Sequence, residues 1–220
     1  MPRKITNDPV AEFVSASQAD DCIALLFRAL VATKELCPQI EAVERLGLAR
    51  ESELFGDRTC YVMTPLFAHT YGSDIDLERD LKPMRKKRAY ALLKFCLSRP
   101  PVGRIPLTGI DFEADFSRFR DRRIRPRDYY WAEPNLGFFL FDSGTEAACD
   151  RLCAKCVDAL VKKHRDISAF AEQIDSKHFE LAVVTPYESK KERLETAIRQ
   201  RKLFDNVPVH ILAVPELAEA

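Results

Sequence analysis

The sequence predicts a two-part α/β protein, an α+β assembly with a helical module ahead of a mixed-sheet domain, on three observations. Apolar residues in the first third recur at helical spacing, whereas those beyond residue 127 gather in short runs that fit buried strands. Between these regions the charge changes sign. Residues 82–127 hold 14 Lys/Arg against 4 Asp/Glu, while residues 1–81 hold 8 against 14 and residues 128–220 hold 12 against 16. The formal net charge of zero conceals that basic belt. The expected divisions are a helical module over 1–80, a basic helix and connector over 81–126, and a mixed α/β domain over 127–220.

The first module starts with "ADDCIALLFRALVATK", 19–34, where Ile23, Leu26, Phe27, Leu30 and Val31 form one helical stripe and Asp20 and Asp21 suit the first turn. Pro38 fits the first position of a second helix that stops at Gly47. "LARESELFG" is read as a short third helix and "TCYVMT" as a wing strand, with "PLFAHTYG" turning back to Gly72. Three helices and a strand outline a winged helix, whose last helix would enter a DNA groove. Glu41, Glu44, Glu51 and Glu53 argue against that role, because phosphates repel them. The alternative is a module that meets a protein partner through residues 1–80.

A helix is predicted from Met84 to Leu97, ended by Ser98 and the Pro100-Pro101 pair. Arg85, Lys86, Lys87 and Arg88 crowd its first turn, where cations oppose the macrodipole, so a binding role is one reason for them and a solvated face the other. Residues 102–117 read as an irregular connector. Then "RFRDRRIRPRDYYW" places Arg118, Arg120, Arg122, Arg123, Arg125 and Arg127 ahead of Tyr129, Tyr130 and Trp131. Arginine grips phosphate with two parallel hydrogen bonds and aromatic rings stack on unpaired bases, so nucleic acid is the natural partner and Tyr129 a candidate platform. The competing reading makes the aromatics ordinary strand residues and pairs the arginines with nearby acids.

From residue 127 the pattern is regular. "DYYWA" and "LGFFLFD" flank Glu133-Pro134-Asn135 as a hairpin, and Asp142 or Thr145 caps a helix over 146–164. A short helix over 168–174, a buried strand over 179–185, a charged helix over 189–202 and a last strand over 207–214 follow. The order ββααβαβ makes a mixed sheet flanked by helices.

The strings "LGFFLFDSGTEAACDRLCAKCVDAL", "FELAVVTPYESKKERLETAI" and "VPVHILAVPEL" resemble the C-terminal core of replication-relaxation type proteins of plasmids and integrative elements. "MTPLFAHTYG" resembles that family's threonine-and-glycine segment, and the resemblance spans residues 20–217. It implies a winged helix joined to a PD-(D/E)xK nuclease-like domain, DNA as partner, and work in replication, mobilisation or regulation of a mobile genetic element. Nucleases of that fold hold a divalent metal with one Asp and an acidic-x-Lys set. Asp142, Gly144 and Thr145 match the family's strand end, but the acidic-x-Lys slot reads Leu140-Phe141-Asp142. The resemblance therefore implies a degraded site, no catalysis and no cofactor. The rival, a metal-dependent DNA nuclease, needs Asp142, Glu146 and Lys155 around Mg2+, with Glu133 or Asp128 as a further carboxylate.

Other chemistries find little footing. Cys149, Cys153 and Cys156 lie on one helical face, but their spacing suits a packed small-residue stripe better than zinc, even with His178 as a fourth ligand. No phosphate-binding glycine loop and no nucleophile elbow occur. The N-terminus lacks an apolar signal core and no run reaches the roughly 20 residues of a membrane span, so a cytoplasmic protein with reduced thiols and no membrane partner is expected.

Overall fold

The computed structural model describes residues 19–72, 81–98, 103–146, 150–200 and 207–218. The protein is mixed α+β, with eight α-helices among the described residues. It divides into two compact units, residues 1–106 and 107–219.

In the first unit, α1 (Ala19–Ala29) buries Cys22, Leu25, Leu26 and Ala29. Leu30 then takes a left-handed φ of 70° and ends the helix, so Val31–Ala32 become strand β1 rather than a further helical turn. After α2 (Ile40–Arg45), Gly47 turns the chain at a φ of 72°. The stretch expected to form a third helix is instead β2 (Ala49–Phe55), the partner of β3 (Arg58–Met63). The reason is pairing: Gly56 and Asp57 form the two-residue turn that folds "ARESELF" back on the apolar strand "TCYVM". The sheet is antiparallel in the order β1-β3-β2.

Thr64 caps α3 (Pro65–Tyr71) by accepting from the Phe67 amide at 3.2 Å, and its hydroxyl donates to the Gly47 carbonyl at 2.7 Å. Next come α4 (Pro83–Leu97) and β4 (Ile105–Pro106). Cys22 and Cys37 are joined as a disulfide, which corrects the expectation of reduced thiols throughout. Cys60 and Cys96 are free and buried, and burial pushes the Cys60 thiol up to about 11.

The second unit begins with α5 (Gly109–Ala114), where an irregular connector was expected. Thr108 and Asp111 form a reciprocal capping box that makes even this short helix stable. The sheet follows the expected order: β5 (Tyr129–Ala132), β6 (Asn135–Phe141), α6 (Asp150–Arg165), α7 (Ser168–Asp175), β7 (Phe179–Thr185), α8 (Glu188–Arg199) and β8 (Val209–Ala213). β5 and β6 are antiparallel, and β6, β7 and β8 run parallel, with Leu136 opposite Phe179 and Leu181 opposite Val209. One face of the sheet supplies Tyr129, Phe138, Phe179, Leu181 and Val183 to a core completed by Val157, Val161, Phe170, Leu194 and Ile198 from the helices.

No helix among the described residues is long and apolar enough to cross a membrane.

Candidate functional site

The arginine segment forms an exposed loop on the second unit, and its geometry follows from two apolar anchors. Phe119 is buried in the core and Ile124 packs against it, so the residues between and beside them point outward. Asp121 closes the turn by accepting from the Arg123 amide at 2.8 Å. It also receives both arms of the Arg123 guanidinium, at 2.8 and 3.0 Å. Those contacts hold the Asp121 carboxyl down at about 2. Arg118 lies over the Phe119 ring and 3.8 Å from Glu172, and Arg120 is 3.6 Å from Glu113. Arg122 and Arg125 are exposed and make no ion pair among the described residues. Arg127 is half-buried in the 3-10 turn Pro126–Asp128.

Tyr129 is no stacking platform. It is buried, its hydroxyl is 2.7 Å from His164 Nε2, and His164 Nδ1 is 2.7 Å from the Leu160 carbonyl. A carbonyl only accepts, so in the neutral ring Nδ1 carries the proton and Tyr129 donates to Nε2. Phe138, Phe170 and Phe179 surround the imidazole, and burial pulls its pKa down to about 4. Tyr130 is also buried. Its ring lies over Gly137, where no side chain intervenes, and its hydroxyl reaches Glu180 Oε1 at 2.7 Å. Asn135 and His210 reach the other carboxylate oxygen, at 3.1 and 3.3 Å. Burial alone would raise the Glu180 carboxyl, but hydrogen bonds from His210, Tyr130 and Asn135 outweigh it and leave it lowered. The aromatics that follow the arginines are therefore spent on the sheet, with only Trp131 partly exposed against Phe116.

Of the α4 cations, Lys86 is also withdrawn from solvent. It is 8% exposed and donates to Ser52 Oγ at 2.7 Å and to the Glu53 carbonyl at 2.8 Å. Arg85 is exposed, Lys87 lies 5.8 Å from the Phe55 ring centre, and Arg88 is half-buried.

Asp142 follows β6 directly, its amide bonded to the Val184 carbonyl and its Oδ1 accepting from the Gly144 amide at 3.1 Å. Its other oxygen lies 2.6 Å from Nζ of Lys190, an ionic contact rather than an aligned hydrogen bond. Lys190 is 1% exposed and also donates to the Thr145 carbonyl at 3.3 Å. The ammonium thus stands where a cation beside Asp142 would stand. Glu146 is held by the same helix, its carboxylate accepting from Ser189 Oγ at 2.5 Å and its carbonyl from Arg193 at 2.7 Å. Lys155 sits on α6, and its side chain lies outside the described residues, as does Cys149. Among the described residues no three His, Cys, Asp or Glu side chains gather as a cation cage.

Sequence reasoning missed Lys190, although a signal was present. Lys190, Leu194 and Ile198 occupy one face of α8 at i, i+4 and i+8, so the lysine shares the buried stripe. Lys86 carries the same signal with Ala89, Tyr90 and Leu93 on α4.

Compared with family models, curated proteins and solved structures, the chain finds no match.

Proposed function

We propose that the protein is a DNA-binding accessory factor without catalytic activity, serving replication, mobilisation or regulation of a mobile element. The observation that carries the reading is the loop over residues 118–125, which presents five arginines outward and leaves Arg122 and Arg125 without an ion pair among the described residues. Arg118 and Arg120 have acidic neighbours in exposed pairs, and Arg123 holds the half-buried Asp121. Exposed pairs such as those of Arg118 and Arg120 contribute little to stability, and a guanidinium can hold phosphate with two parallel hydrogen bonds.

The nuclease-like scaffold is part of the same reading. The hairpin β5–β6 running into parallel β7 and β8 suits a PD-(D/E)xK-like domain, and Leu140 stands where an acidic ligand is expected. Lys190 neutralises Asp142, the one carboxylate that matches, so the corner works as a structural clasp between β6 and α8. In the first unit, two helices ahead of a hairpin in a β1-β3-β2 sheet support a winged-helix-like module with β2–β3 as its wing.

A second reading, a protein-assembly factor, is favoured by Leu46 and Leu66, which are 61% and 50% exposed on either side of Gly47. The deciding experiment is a fluorescence anisotropy titration against labelled DNA at several salt concentrations, with magnesium present and absent. Binding that weakens with salt and falls at least several-fold in Arg122→Gln/Arg125→Gln supports the DNA reading. Salt-independent or absent binding leaves the assembly factor. Magnesium-dependent cutting that is lost in Asp142→Ala overturns the non-catalytic assignment.

A further inference from the structure

The arginine loop has a neighbour that the sequence pattern did not join to it. α6 ends in Lys162, Lys163 and Arg165, and Lys163 Nζ donates to the Arg123 carbonyl at 3.4 Å. That contact brings the last turn of α6 against the 121–124 turn. Four acids around them are paired, Asp121 to Arg123, Glu113 to Arg120, Glu172 to Arg118 and Asp175 to Arg165, and Asp128 lies beside Arg125 with its amide on the Arg125 carbonyl. Asp166 adds one further negative charge near Arg123. Arg122, Arg125 and Lys163 remain with no ion pair among the described residues, and all three are exposed.

We propose that this composite surface, residues 118–125 together with the Lys162–Arg165 turn, binds the phosphate backbone of duplex DNA without stacking on bases. The inference rests on the DNA-binding reading above and deepens it by naming the strandedness and a second element of the interface. Three exposed cations on two elements, none in an ion pair among the described residues, suit a row of phosphates, because each neutralised phosphate releases condensed counterions. Stacking on unpaired bases needs exposed rings beside the cations. Here Tyr129 and Tyr130 are buried in the sheet, Phe119 lies in the core, and the half-buried Trp131 and Phe116 pack on each other, so no fully exposed ring stands beside the cations to favour single strands. The duplex, with one charge per roughly 1.7 Å of axis, offers the denser array of phosphates.

A purely structural role for Lys163 has a definite form: cations in a helix's last turn complement its macrodipole. The two roles separate in one experiment. Duplex and single-stranded DNA of the same sequence are titrated across a salt series with the wild type, Lys163→Gln, Lys163→Arg and Arg122→Gln/Arg125→Gln, and thermal unfolding is recorded for each. The expected result is tighter binding to duplex than to single strand. Lys163→Gln lowers the slope of log K against log salt by about 0.9 for duplex, and Lys163→Arg keeps it. Both variants keep the wild-type unfolding midpoint within a few degrees.

If Lys163→Gln leaves the slope unchanged while the double arginine variant lowers it, the arginine loop binds alone and the composite surface is overturned. Tighter binding to the single strand overturns the duplex assignment. If the double arginine variant also changes nothing, the DNA-binding reading itself fails.

Discussion

Two charged regions of the second unit use similar side chains to opposite ends. In the 118–125 loop, guanidinium groups lie in water, and Glu172 and Glu113, the partners of Arg118 and Arg120, are exposed as well. At the β6–α8 corner, Lys190 is 1% exposed and Asp142 13%, and the pair closes the loop between them onto the helix. Water decides the difference. An exposed cation keeps its hydration and gives it up cheaply to a phosphate, whereas a buried one is committed, since leaving either partner alone costs several kcal/mol. Charge count by itself therefore locates neither a ligand nor a clasp. Tyr129 and Tyr130 extend the contrast, because hydroxyls that look available in "RPRDYYW" are committed to His164 and Glu180 inside the sheet.

The contrast breaks most severely at Gly137. A methyl group there would overlap the Tyr130 ring, which is fully buried and bonded to Glu180. Gly137→Ala is expected to destabilise the protein by more than about 3 kcal/mol, at or beyond the top of the usual overpacking range. Urea unfolding of Gly137→Ala beside Tyr130→Phe, which keeps the ring and loses only the hydrogen bond, measures it. Equal stability for Gly137→Ala and wild type would mean that the ring does not cross the strand there.

Acid tests the Tyr129–His164 contact. The unfolded chain takes up the His164 proton near pH 6.5, while the folded protein resists until about pH 4. Its contribution is therefore complete above about pH 6.5 and is lost as pH falls from there towards 4. The loss is roughly 3 kcal/mol, from 1.36 kcal/mol per unit of pKa difference. Unfolding free energies measured between pH 7 and 4 should show that step in wild type. The step should vanish in Tyr129→Phe/His164→Phe, where both polar partners are replaced together.

Lys190→Met strands Asp142 beside the apolar end of β6. A fully buried pair would lose 3–5 kcal/mol, but the partial exposure of Asp142 lets water in, so a loss of about 2 kcal/mol is expected. Asp142→Asn combined with Lys190→Met should recover most of it, and the double-mutant cycle from chemical denaturation reads the coupling. Additive losses would show that the 2.6 Å contact contributes nothing.

Much of the second unit is legible in sequence because its signals are local. The run "FELAVVT" is a strand over the bounds expected, since a short run rich in aromatic and β-branched residues suits a strand buried on both faces. The order ββααβαβ follows from similar runs. What escapes is set by distant partners. "ARESELF" carries more helix formers than strand formers, and only its pairing with "TCYVM" across Gly56 makes it a strand. Lys86 and Lys190 look like solvated charges until their apolar stripes are counted, and even then Ser52, Glu53 and Asp142 must be placed to show what receives them. The joining of Lys163 to the Arg123 turn spans 40 residues and has no local trace.

The smallest expected effect is also the most discriminating. Arg122 and Arg125 are exposed and unpaired among the described residues, so Arg122→Gln/Arg125→Gln should change unfolding free energy by no more than about 0.5 kcal/mol. Lys190→Met should do the reverse, costing stability while leaving the phosphate-binding loop in place. Measured side by side in denaturant and against DNA, the two variants should exchange ranks: one folds like wild type and binds poorly, the other folds poorly and, where folded, binds like wild type. If the arginine variant instead loses as much stability as Lys190→Met, the loop is part of the framework and its charges are not held in reserve for a ligand.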